Sequence, residues 1–133
     1  MYLLDTNHCS RILNGDPDLI PCMQSLRGEL VATSVIVHSE LVFMARRSDQ
    51  RSSNYSNIFR FLRTVSILRI DDDVADRFAA IKFGVLDRWG PGERAKRRRA
   101  TLGHTGFSEN DLWIAATALR HGLRLVSSDG DFR

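Results

Sequence analysis

Four carboxylates occupy places where apolar side chains are expected, or stand at the ends of apolar runs. Asp5 closes the run Met1-Tyr2-Leu3-Leu4, and Glu40 falls in a helical pattern with Ile36, Val37, Phe43 and Met44 three and four residues away. Asp111 has Phe107 behind it and Ile114 and Ala115 ahead, and Asp129 follows Leu123-Arg124-Leu125-Val126. Residues three and four apart share a helix face, so Glu40 and Asp111 are expected to point the way the core points. A buried carboxylate is costly unless it is neutralised or finds a cation. No Lys or Arg is interleaved at these positions, so the pattern asks for a metal ion.

Oxygen-only ligands select hard cations, Mg²⁺ with Mn²⁺ as a substitute, over zinc. The chain has no HExxH or CxxC pattern, and His8, His38, His104 and His121 show no ligand spacing; each reads as a surface or packing residue. A divalent ion held by few carboxylates keeps waters, and one of these can serve as a nucleophile toward a phosphodiester. Nothing resembles a Ser/His/Asp or Cys/His triad. Gly90-Pro91-Gly92 lacks the GK[ST] ending of a phosphate loop, which argues against nucleoside-triphosphate chemistry.

The elements that must position these acids follow from patterning. Residues 1–5 read as a short buried strand, with Thr6, Asn7 and Ser10 as cap types for a helix reaching about Asn14-Gly15. Asp16-Pro17-Asp18 turns the chain into a second helical piece from Leu19 to Leu26. A strand Leu30-Val31-Ala32-Thr33 precedes a helix capped by Ser34 that carries Glu40 and ends near Arg47-Ser48. Residues 52–57 fit either a loop tip or a helix start. Val65 to Ile70 is a third strand, and Asp71-Asp72-Asp73 caps a helix with Val74, Phe78, Ile81 and Val85 on one face. Ser108 starts the helix of Asp111, Gly122 closes it, and Leu123 to Val126 is the last strand.

Short apolar strands alternating with amphipathic helices predict an α/β fold with a parallel sheet. In such folds ligands gather outside the carboxyl ends of strands, where Asp5 and Asp129 lie, so the four acids can reach one rim. Each acid also has a plainer reading. Asp5 can simply cap the next helix, Glu40 can pair with a distant Arg, Ser108 and Asp111 match a capping box, and Asp129-Gly130 is a turn signal.

At 133 residues, 43% hydrophobic and 26% charged, the chain has the composition of one ordinary globular domain. No apolar stretch is long enough to cross a bilayer and the N-terminus lacks a leader pattern, so no membrane association and a cytoplasmic location are expected. Cys9 and Cys22 are isolated thiols that suit a reducing compartment. The net charge of +3 is unevenly spread: from Arg88 to His104 there are Arg88, Arg94, Lys96, Arg97, Arg98 and Arg99 against one acid, Glu93. Such a segment either grips a polyanion or is a solvated face.

Taken together, Leu3-Leu4-Asp5-Thr6-Asn7, Ser39-Glu40-Leu41, the run Asn110 to Leu119 and the stretch Leu125 to Phe132 resemble the PIN domain, and within it the VapC-type toxins of bacterial toxin–antitoxin pairs. The resemblance spans nearly the whole chain. It implies a PIN-like α/β/α sandwich over residues 1–133, with Asp5, Glu40, Asp111 and Asp129 as the catalytic, metal-binding set. Thr6 or Ser127 would bond to a carboxylate or a metal-bound water. It further implies a Mg²⁺-dependent endoribonuclease, a VapB-type antitoxin partner, and a homodimer within a toxin–antitoxin hetero-oligomer. Two features depart from the family: the basic insert at about 88–104, where Arg94, Lys96, Arg97, Arg98 and Arg99 are candidate RNA contacts, and an end at Arg133 where members generally continue for about another strand. The competing readings are a structure-specific DNA nuclease, for which the chain is short, and a non-catalytic RNA- or protein-binding module, which has no need of four acids.

Overall fold

The computed structural model describes residues 1–25, 30–89, 102 and 107–127. Strand β1 (Tyr2–Leu4) leads into helix α1 (Thr6–Leu13), and α2 (Leu19–Ser25) follows. Strand β2 (Val31–Ser34) runs into α3 (Val35–Arg47) and α4 (Arg51–Leu62), then β3 (Ser66–Leu68). Helix α5 (Asp72–Trp89), helix α6 (Glu109–His121) and strand β4 (Arg124–Val126) complete the described elements. The segment left open between loop and helix is thus helical, as part of α4.

The chain divides into two compact units, one formed by Met1–Arg69 with the chain from Gly122 onward, the other by Ile70–His121. The first holds a four-stranded sheet in the order β3-β2-β1-β4, parallel throughout. The inner strands are apolar on both faces, as a parallel sheet demands: Leu3, Leu4 and Ala32 are at most 1% exposed. Register is set by Leu3 opposite Ala32 on one side and Leu125 on the other. Near the ends of these strands the Thr33 hydroxyl donates to the Leu4 carbonyl at 3.0 Å, so even a buried polar side chain reinforces the β1–β2 pairing.

Helix α3 begins at Ser34, whose hydroxyl accepts the amide of Val37 at 3.2 Å. Its buried stripe is Val37, Leu41 and Ala45, a single i, i+4 row. This corrects one expectation. Phe43 and Met44 are 58% and 47% exposed, so half of the apolar neighbours of Glu40 face solvent, and Glu40 itself lies half-buried on the flank of the stripe. Sharing a face with apolar residues does not place a side chain in the core when the buried row is only one residue wide.

The second unit is built on α5 against α6. Val85, Leu102 and Leu112 form its buried cluster, with Phe78, Ile81, Leu86 and Phe107 packed around them. Phe78 stacks on Trp113 with ring centroids 3.7 Å apart. Helix α5 is capped by Asp71, whose Oδ1 accepts the Val74 amide at 2.8 Å. Gly122, at φ +63°, ends α6 in the left-handed conformation that favours glycine.

Candidate functional site

Asp5 leaves the carboxyl end of β1, an inner strand, and starts α1. Its backbone stays extended (φ −80°, ψ 175°). Its amide still reaches the Val126 carbonyl of β4 at 3.3 Å, while its own carbonyl already accepts the Cys9 amide at 3.1 Å. The backbone is therefore held from both directions, and the residue is 7% exposed. Oδ1 accepts two hydrogen bonds from one residue: the backbone amide of His8 at 2.8 Å and its imidazole Nδ1 at 3.0 Å. Oδ2 receives no hydrogen bond from any described residue, and among those residues no Lys or Arg pairs with Asp5.

Glu40 is reached from the next residue along. The Thr6 hydroxyl, in the first turn of α1, donates to Glu40 Oε2 on α3. Helices α1 and α3 follow neighbouring strands, β1 and β2, so their first halves emerge side by side and Thr6 bridges them. The sheet unit thus brings Asp5 and Glu40 together through one Thr.

Asp111 lies in the helical unit and opens α6. Its amide donates to the Ser108 hydroxyl and its Oδ2 accepts the Ser108 amide, both at 3.1 Å, a reciprocal capping box. Ser127 follows β4 and is half-buried. Asp129 and the candidate RNA contacts Arg94, Lys96, Arg97, Arg98 and Arg99 lie outside the described residues. Among the described residues no three His, Cys, Asp or Glu side chains are grouped so that together they could hold a metal ion.

The donor chemistry of the sheet unit fits a hard divalent cation. Asp5 is a nine-tenths-buried carboxylate with one oxygen uncommitted, beside a second carboxylate oriented by a hydroxyl. Anions in that situation need a cation to offset desolvation, and oxygen donors suit Mg²⁺ or Mn²⁺. Asp5 and Glu40 are the residues that would hold such an ion here.

One site residue escaped the sequence reading. His8, taken as surface or packing, is buried and touches Asp5 directly. The spacing signals only the amide: the third residue after a helix N-cap returns its backbone N–H to the cap, and here the ring turns to the same oxygen as well. Nearby, burial pushes the Cys9 thiol up to about 12, against a lowering by its contact with Thr33, so it stays a neutral packing group.

A parallel sheet with an acid leaving an inner strand into a capped helix is the framework of one class of proteins, and the chain belongs to it: the PIN domain family, whose model matches residues 2–133. Within that family the chain is similar to Ribonuclease VapC2 of Haemophilus influenzae, 29% identical over 129 residues that make up 96% of this chain and 86% of the relative. Its fold is that of VapBC2 from Rickettsia felis, solved bound to a DNA fragment from their promoter, with a TM-score of 0.77 at 23% identity over 96% of this chain and 86% of that one. FitAcB from Neisseria gonorrhoeae has a TM-score of 0.76 at 25% identity, over 99% of this chain and 91% of that one. The α/β class with a parallel sheet and the PIN-like α/β/α fold therefore stand as the sequence predicted.

Proposed function

We propose that this protein is the toxin of a toxin–antitoxin pair and acts as a Mg²⁺-dependent endoribonuclease. The observation that carries the reading is the Asp5 carboxylate, buried, fixed through one oxygen and open at the other, with Glu40 held beside it through Thr6. The similarity to proteins named as VapC ribonucleases supports the activity, and the VapBC complexes among the related structures support an antitoxin partner.

A bound divalent ion would supply a nucleophilic water at neutral pH and neutralise charge developing on a phosphate oxygen. The chain's own part is to hold oxygens still. Asp5 is fixed at the junction of strand and helix, where the β4 pairing and the α1 cap both restrain it. Thr6 keeps Oε2 of Glu40 hydrogen-bonded and so orients that carboxylate. Asp111, whose cap engages only Oδ2, and Asp129 are the further acids that the family resemblance adds to the set. The cationic side chains at 94–99 would hold the RNA backbone. An antitoxin side chain bearing a guanidinium could satisfy the same carboxylates bidentately and silence the enzyme. The protein is expected to form a homodimer within that complex and to work in the cytoplasm; no described helix is long and apolar enough to cross a membrane.

The test is cleavage of RNA and of duplex DNA by purified protein with and without Mg²⁺. Cleavage of RNA alone, lost on chelation and in Asp5→Asn, is the expected result. Metal-independent cleavage, or none with RNA bound, would replace this reading by another nuclease chemistry or a binding module.

A further inference from the structure

We propose that His8 is a positioning residue for the candidate metal ligand Asp5: it holds Oδ1 and so reserves Oδ2 for the cation. The inference rests on the metal-dependent reading and deepens it. A helix cap needs one hydrogen bond, and the His8 amide already provides it at 2.8 Å. The imidazole adds a second bond to the same oxygen at 3.0 Å, with both side chains 10% exposed. Capping does not require that second contact.

What it does is fix rotation. A carboxylate held by one bond can turn about Cβ–Cγ and present either oxygen; held by two donors converging on Oδ1, it keeps Oδ2 out of the cap. A carboxylate only accepts, so Nδ1 must carry the hydrogen in this contact. The bond therefore selects the Nδ1–H form of the ring. Partners of this kind, one shell out from a metal, orient the ligand, and their loss typically weakens metal binding by about 10- to 100-fold.

The experiment uses the intact protein, metal-free, and Mn²⁺ as the probe, titrated by electron paramagnetic resonance. Asp5→Asn tests the underlying reading, His8→Leu removes the ring donor at similar bulk, and His8→Asn restores a donor near the position of Nδ1. Circular dichroism checks that each is folded. The expected result is binding lost in Asp5→Asn, weakened about tenfold or more in His8→Leu, and within about threefold of wild type in His8→Asn. Raising the metal concentration should then return RNA cleavage by His8→Leu toward wild type. If Asp5→Asn loses Mn²⁺ but His8→Leu binds it as wild type does, the positioning role is wrong and the metal site stands. If Asp5→Asn binds normally, the metal reading fails and this inference with it. Equal loss in a folded His8→Asn would overturn hydrogen bonding as the cause. Nitrogen NMR of the wild-type imidazole decides the matter even if His8→Leu does not fold: an Nδ1 without hydrogen removes the contact on which the proposal stands.

Discussion

Two helices in this protein start in the same way and do different things with the acid that starts them. In the sheet unit, Asp5 Oδ1 accepts the His8 amide at 2.8 Å; in the helical unit, Asp71 Oδ1 accepts the Val74 amide at the same distance. Beyond the cap they diverge. Asp71 is exposed, and its other oxygen lies 3.7 Å from Arg120, which also pairs with Asp73 at 3.0 Å. Asp5 is buried, its capping oxygen is bonded a second time by an imidazole, and its other oxygen meets no cation among the described residues. The first is a surface cap with an ordinary surface ion pair, worth little. The second combines burial with an open oxygen, which capping alone does not explain. The lesson is that the environment of the second oxygen, rather than the cap, separates a structural acid from a candidate catalytic one.

The largest effect expected from this contrast is on chemistry. Asp5→Asn and Asp111→Asn should each lower RNA cleavage by at least about a hundredfold, whereas Asp71→Asn should leave it within about twofold; initial rates in Mg²⁺ measure all three. Near wild-type turnover in either of the first two would remove that acid from the ligand set. Because Asn caps as well as Asp, the three variants should stay folded.

Burial sharpens the comparison next. Cys9 lies one turn beyond Asp5 with its thiol pushed up to about 12, while Cys22 is exposed. Alkylation of native protein should label Cys22 and leave Cys9 slower by about a hundredfold or more, as read by peptide mass spectrometry. The same shift makes a signed prediction. An acid raised above its unfolded value of 9.0 contributes stability that is full below that pH and declines as pH rises from there toward about 12. Cys9→Ser should flatten that alkaline decline in melting temperature.

The basic segment gives a third, smaller effect. Replacing Arg97, Arg98 and Arg99 with Ala should reduce the log–log salt slope of RNA binding by roughly 0.7 per lost phosphate contact, with cleavage of bound RNA little changed. An unchanged slope would make the run a solvated face. Loss of antitoxin binding with RNA affinity intact would make it a protein interface.

The smallest effects are on the caps themselves. Asp5→Ala and Asp71→Ala should each lose about 1 kcal/mol relative to their Asn counterparts, measured by denaturant unfolding. Equal losses would confirm that the two helix starts are alike as caps and differ only beyond them.

Much of this was legible in the sequence because it is local. Ser34 before an apolar run, Ser108 three residues before Asp111 and the triplet at 71–73 announce their helix starts by residue type alone. The stripe Val74, Phe78, Ile81 and Val85 declares the packed face of α5, and all four are buried or packed. What escaped depends on neighbours distant in sequence or on the width of a contact. Nothing local reveals that the buried row of α3 is one residue wide, which turned Phe43 and Met44 outward. Nor does composition tell that a histidine will fold back on an aspartate. The Asp5 cap was readable from residue type, whereas the turn of the His8 ring onto the capping oxygen was not.

Strand β1 has a consequence in time as well as in space. Its two neighbours come from residues 31–34 and 124–126, so β1 waits for about 120 further residues before its second edge is covered. Parallel pairings across such separations form slowly, and until β4 arrives the open edge of β1 offers unpaired backbone to any passing strand. A ribosome-bound or truncated chain ending before residue 124 would therefore lack the Val126 tether on Asp5. The order in which the strands are made thus decides when Asp5 acquires its second backbone restraint, which comes only after β4 has been made.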